Sequence, residues 1–169
     1  MNKQKTYFTK AGLARTNEEI IFLQEEIRTC NMKIGDTVAL DNDLRENPEF
    51  MALRNKAEYE LPKKIQELAK LVMCKEIIED MAHIRDNLCS YIEVGHQVTL
   101  IDENNNIREL TILGFGDSNP KENIVSYLTP IAQQLLNHEI GDEVNLISPH
   151  GDTLYEIEKI IVSPLLNKR

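Results

Sequence analysis

Asp41-Asn42-Asp43-Leu44-Arg45-Glu46-Asn47-Pro48-Glu49-Phe50 interrupts a helix-forming run that extends from residue 10 to residue 83. Within that run Gly occurs only at Gly12 and Gly35, and Pro only at Pro48 and Pro62. Glu, Lys, Leu, Ile and Ala dominate it, which is a helical composition. Asn47-Pro48 reads as a helix start. An Asn side chain accepts from the free N–H groups of a first turn, and Pro is tolerated at the first position because its missing N–H has no partner there. Helical sequence on both sides of a short polar break predicts a helical hairpin.

Outward from this break, Leu13, Ile20, Ile27 and Ile34 recur every seven residues, with Leu23 and Cys30 at the companion positions. Leu53, Ala57, Leu61, Ile65, Leu68 and Val72 form a second stripe. Both have the spacing of coiled-coil seams. In an antiparallel hairpin, facing positions have a constant index sum. Leu23 with Leu68, Cys30 with Leu61, Ile34 with Ala57 and Val38 with Leu53 each give 91. That sum places the tip near residues 42–48. The first helix, N-capped by Thr9, then runs from Lys10 to about Asp41 and is roughly 45–50 Å long at 1.5 Å per residue. A hairpin inside a compact domain has the same pattern; the narrow stripes and charged outer faces favour a projecting coiled coil. Gly35 costs about 1 kcal/mol relative to Ala in a helix, and Pro62 removes a backbone hydrogen bond and predicts a kink. The alternative is a first helix that stops at Ile34, with Gly35-Asp36 opening a turn. The index sum at Val38 and Leu53 favours continuity.

Residues 91–163 change character. Val98-Thr99-Leu100-Ile101, Leu110-Thr111-Ile112-Leu113 and Glu143-Val144-Asn145-Leu146-Ile147 read as short strands. Asp102-Glu103-Asn104-Asn105-Asn106, Gly114-Phe115-Gly116-Asp117 and Pro149-His150-Gly151-Asp152 read as turns between them. One short helix is expected from about Pro130 to Asn137. The organisation is therefore α+β: an antiparallel coiled-coil hairpin over residues 1–84 with an acidic tip near 41–49, then a small antiparallel β domain with one short helix over residues 85–169.

Composition narrows the function. The net charge of −9 opposes non-specific duplex DNA binding, which needs clustered Lys and Arg. With no Trp, five Tyr and four Phe, an aromatic base-stacking platform is not expected. Cys30, Cys74 and Cys89 lack metal-ligand spacing, and their odd number argues for a reducing cytoplasm. No apolar stretch has membrane-spanning length and no secretory h-region follows the N-terminus, so a cytoplasmic protein without membrane association is expected.

Between Asp36 and Glu49 there are five acidic residues and one basic residue. Such a cluster is commonly no more than a solvated turn, since Asp bonds its own backbone there. Carboxylates three residues apart in a tight turn can also converge on one point. Two of them with water suit Mg²⁺, which takes few protein oxygens and keeps much of its hydration shell. Alone they make a weak site; they would complete one whose other ligands belong to a partner.

Asp43-Leu44-Arg45-Glu46-Asn47-Pro48-Glu49-Phe50 resembles the tip motif of the Gre transcript cleavage factors, G-D-L-x-E-N-A-E-Y. Tyr7-Phe8-Thr9-Lys10-Ala11-Gly12-Leu13 is similar to their opening motif. In the second half, Val94-Gly95, Val98-Thr99-Leu100, Ile112-Leu113-Gly114, Ser126-Tyr127-Leu128-Thr129-Pro130-Ile131-Ala132, Gly141-Asp142-Glu143-Val144 and Tyr155-Glu156-Ile157 resemble their FKBP-like domain. The likeness runs nearly end to end in order. It implies an FKBP-like fold for residues 85–169 and an accessory factor, not an enzyme, that acts as a monomer on bacterial RNA polymerase and the 3′ end of nascent RNA. It implies that Asp43 and Glu46 carry the catalytic and metal role, holding a Mg²⁺ shared with the polymerase and bound only in that complex. Arg45 and Arg54 become RNA contacts, and Asp117, Asn119, Ser126, Thr129 and Pro130 become docking residues. The chain departs from the motif at Asn42, Pro48 and Phe50, where the family has Gly, Ala and Tyr. It also has Ala39 at a basic position before the tip and Asn119 at an acidic one. A Gre-like regulator that occupies the channel without stimulating cleavage is the competing expectation.

Other chemistries have little support. His83, His96, His138 and His150 share no ligand spacing. Ser90, Ser126 and Ser148 lack a nucleophile-elbow context. Gly114-Phe115-Gly116 lacks the spacing of a dinucleotide loop. The few aromatics of the second half, Tyr91, Phe115, Tyr127 and Tyr155, make a prolyl-isomerase pocket unexpected.

Overall fold

The computed structural model describes residues 5–40, 47–148 and 151–167. The chain divides into two compact units, residues 14–74 and residues 1–13 together with 75–169. This differs from the boundary at 84/85 expected from composition. The reason is a pair of short strands. β1 (Thr6–Phe8) lies parallel to β2 (Lys75–Ile77), with Thr6 opposite Lys75 and Phe8 opposite Ile77. Both chain ends of the helical unit are thereby tied into the second unit.

The helical unit begins within α1 (Lys10–Leu40), a 31-residue helix. At 1.5 Å per residue that is about 46 Å. Gly35 lies inside it, and a Cβ built there meets nothing within 4 Å. The helix does not stop at Ile34. After the segment 41–46, which lies outside the described residues, α2 (Pro48–Asn55) starts with Asn47 as its cap. The Asn47 Oδ1 accepts from Glu49 N–H at 3.0 Å and Phe50 N–H at 3.2 Å. A π-helical turn (Lys56–Glu60) links α2 directly to α3 (Leu61–Met73), with Leu61 N–H donating to the Lys56 carbonyl five residues back. The irregularity expected at Pro62 is therefore a widened turn just ahead of it. In a regular helix the ring of Pro62 would meet the carbonyl four residues earlier, and the wider turn relieves that crowding.

Leu23 and Cys30 of α1 are buried, as are Ala57, Leu61 and Leu68 of the second strand, whereas Ile20, Ile27, Ile34, Leu53, Ile65 and Val72 are half-buried. Every one of these belongs to an expected seam. The expected register does not hold. Lys56 pairs with Glu26 and Lys64 with Glu19 at 2.8 Å, index sums of 82 and 83, not 91. At a sum of 91 these partners would be offset by about 12–14 Å along the axes and 8–10 Å across them, beyond the reach of a Lys–Glu pair. A sum near 84, about one heptad lower, accommodates both pairs. Heptad seams slide by one repeat without changing which residues face inward, so hydrophobic spacing alone does not discriminate the two registers.

The second unit is built on a five-stranded sheet. Its strands are β3 (His96–Asp102), β4 (Ile107–Leu113), β5 (Ile124–Ser126), β6 (Glu143–Ser148) and β7 (Gly151–Val162). The order is β5-β4-β3-β7-β6. Three pairs are antiparallel, but β4 and β5 run parallel, so the sheet is mixed and not the purely antiparallel one expected. A bulge against β3 between Thr99 and Leu100 leaves Glu158 of β7 unpaired in the ladder. The helix expected from Pro130 is α5 (Pro130–Leu135), after the short α4 (Ala82–Arg85). The core gathers Val98, Leu100, Leu110, Ile112, Ala132, Leu135, Leu146, Ile157 and Ile160, together with Ile78 and Ile92. The turn at Asp102–Asn106 forms as expected. Asp102 Oδ1 accepts from Asn104 and Asn106 N–H, both at 2.8 Å, and Asn105 takes a positive φ of 59°.

Candidate functional site

The candidate site is the turn between α1 and α2 together with the surfaces that present it. Asp43, Arg45 and Glu46 lie outside the described residues. α1 ends at Leu40 and α2 opens at Pro48 under the Asn47 cap, so the acidic segment joins two helices of the same hairpin. Arg54 is exposed in the last turn of α2, where its Nε donates to Glu58 Oε1 at 2.9 Å. That carboxylate, by hydrogen bond and charge, raises the Arg54 pKa. No group of three or more His, Cys, Asp or Glu that could hold a metal occurs among the described residues.

The residues expected to dock sit on the loop from Gly116 to Pro130, and they differ sharply in exposure. Asp117 is 8% exposed. Its Oδ1 accepts from the Thr9 hydroxyl at 3.0 Å, and its Oδ2 accepts from Gly114 N–H at 3.2 Å. Thr9 Oγ1 in turn accepts from Gly12 N–H at 2.8 Å, making Thr9 the expected cap of α1. The fit is close. A Cβ at Gly12 would lie 2.9 Å from Asp117 Oδ1, and one at Gly114 would lie 2.7 Å from the Tyr7 carbonyl. Phe115 N–H donates to that same carbonyl at 2.8 Å. Asp117 is thus committed to the interior, joining the opening motif to the β4–β5 loop.

The other docking candidates are also bonded. Asn119, half-buried, caps the 3₁₀ turn Pro120–Glu122 by accepting from Lys121 N–H. Ser126 is buried; its hydroxyl accepts from Leu128 N–H, and its carbonyl accepts from the Thr129 hydroxyl at 2.8 Å. Thr129, half-buried, caps α5 through Ala132 N–H. Leu128 and Pro130 are the exposed members of this ridge.

Spacing gave no hint of a buried histidine pair. The rings of His83 and His96 meet edge-to-face with centroids 5.2 Å apart. His83 Nε2 bonds the Val94 carbonyl at 2.9 Å, and His96 Nδ1 accepts from Glu93 N–H at 3.1 Å. His96 Nε2 is buried without a hydrogen-bond partner. Burial, reinforced by the neighbouring His83, depresses the His96 pKa to about 4.

The family described as "Transcription elongation factor, GreA/GreB, C-term" matches residues 88–161. The transcription elongation factor GreA of Nautilia profundicola is 31% identical, over 92% of this chain and 94% of its own. The GreA of Nitratiruptor sp. is 29% identical, over 96% and 97%. The crystal structure of GreA factor homolog 1 from Thermus thermophilus is 18% identical, covers 93% of this chain and 99% of its own, and has a TM-score of 0.41. Relatives named as transcription elongation factors that match over more than nine-tenths of the chain define the class, a transcription elongation factor. The chain belongs to the GreA/GreB family of transcription elongation factors.

Proposed function

We propose that the protein binds bacterial RNA polymerase, enters its secondary channel with the hairpin, and stimulates hydrolytic cleavage of backtracked nascent RNA. The observation that carries this reading is the position of the acidic segment between α1 and α2 of one long hairpin, in a chain similar to GreA factors over more than nine-tenths of its length. Asp43 and Glu46 are the carboxylates assigned to the chemistry. The donor set suits Mg²⁺ only in part: two carboxylates leave most positions to water and to the polymerase's own ligands. When bound, such an ion favours ionisation of water and stabilises charge on the departing oxygen. Asp43 and Glu46 orient the attacking water and offer acceptors for its protons. Arg45 and Arg54 are assigned as contacts to the RNA 3′ end, with Arg54 drawn from its Glu58 partner toward phosphate. Leu128 and Pro130 form the exposed part of the docking ridge, while Asn119, Ser126 and Thr129 hold its loop.

The competing reading is a channel-occupying regulator without cleavage, favoured by Ala39 where the family carries a basic residue. Cleavage by stalled polymerase separates the two. Wild type stimulates cleavage, and Asp43→Asn and Glu46→Gln abolish stimulation while still binding polymerase. Stimulation retained in both variants removes the proposed role of the carboxylates. Inhibition by wild type selects the regulator.

A further inference from the structure

We propose that the π turn at Lys56–Glu60 is a built-in hinge, about which the tip-side segment Pro48–Asn55 opens independently of α3. The inward positions of the second strand are Phe50, Leu53, Ala57, Leu61, Ile65, Leu68 and Val72. Their spacing alternates between three and four up to Ala57 and again from Ile65. Between them stand two consecutive fours, so one residue is inserted into the heptad. An uninterrupted α-helix would turn the seam on one side of the insertion away from α1. The π turn absorbs it: Leu61 N–H reaches the Lys56 carbonyl, and Ala57, Leu61 and Leu68 all stay buried.

The site is weakened in two ways. The turn departs from α geometry, and Pro62 donates no hydrogen bond immediately after it. π turns and prolines are where helices bend. Side chains bracket the weak point. Asn55 Nδ2 donates to Glu60 Oε1 at 2.7 Å, spanning the π turn, and Lys56 pairs across to Glu26 on α1. The turn is therefore braced rather than loose, and the tip side and base side are separate opening units.

Amide hydrogen exchange on the full chain tests this. In wild type, amides of residues 48–60 exchange at least about tenfold faster than those of residues 63–73, as separate opening units require. Deleting Glu60 together with Pro62→Ala restores an unbroken heptad, and the two segments converge on one rate. Asn55→Ala removes the brace without touching the seam; exchange over 48–60 rises severalfold while that over 63–73 holds. Equal protection in wild type overturns the hinge. So does a difference that persists after the heptad is repaired, because it would then reflect fraying from the tip. No response to Asn55→Ala also counts against it.

Discussion

Asp117 shows how one residue can satisfy a motif for a reason other than the one the motif suggests. Its acid was legible in the sequence, and likeness to a docking loop made it a candidate for the surface. Its bonds to Thr9 and Gly114 place it inside. Asp117→Ala leaves the Thr9 hydroxyl and the Gly114 N–H short of an acceptor, so thermal unfolding should show a loss of about 1–3 kcal/mol. Asp117→Asn, which keeps one acceptor oxygen, should lose less. His96 was invisible to spacing analysis because its partner His83 is thirteen positions away, a separation with no periodic meaning in a helix or a strand. Its consequence is a pH dependence. The native imidazole stays neutral down to about pH 4, whereas an unfolded His takes up a proton near 6.5. Stability is thus full above about 6.5 and falls as pH drops toward 4, by at most about 3 kcal/mol. Denaturant titrations across that window should show the decline in wild type and a flatter profile in His96→Gln.

At the scale of elements, the seams, the Thr9 and Asn47 caps and the break before Pro48 were all legible, because each is a local matter of side-chain type at fixed spacing. The register was not, because heptads one repeat apart bury the same residues. It was the charged positions, Glu19 with Lys64 and Glu26 with Lys56, that distinguished them. Cysteines placed at 23 and 61, with the native cysteines replaced by serine, should cross-link readily. The pair at 23 and 68 should not. Gly35 lies in open space within α1. Gly35→Ala should therefore stabilise the protein by about 0.5–1 kcal/mol in denaturant melts, since the helix gains propensity and no atom is displaced. The mixed sheet was misread for a related reason. β5 is three residues long, and its parallel pairing with β4 depends on a loop held by Asp117, Asn119 and Ser118 rather than on strand pattern.

For the whole molecule, the composition break near residue 84 marked where helix gives way to strand, but not where one unit ends. Membership follows the β1–β2 pairing, which takes residues 1–13 into the sheet unit. The hairpin is thus an insertion into that unit. Replacing residues 14–74 with a short Gly-rich linker should leave a folded domain with the near-ultraviolet circular dichroism of the intact sheet unit and no capacity to stimulate cleavage.

The β1–β2 pair also has a kinetic side. These neighbouring strands are parallel, and residues 9–74 form the entire connection between them. Closing so long a loop from a random chain carries a large entropic cost before any strand contact compensates. If α1 and the α2–α3 strand zip together first, the ends of that loop arrive side by side and the remaining search is short. The hairpin then serves the nascent chain itself: its formation is the step that allows the first strand to find the second. Weakening the seam with Leu61→Ala should slow the appearance of native sheet in refolding experiments, although residue 61 lies outside the sheet unit.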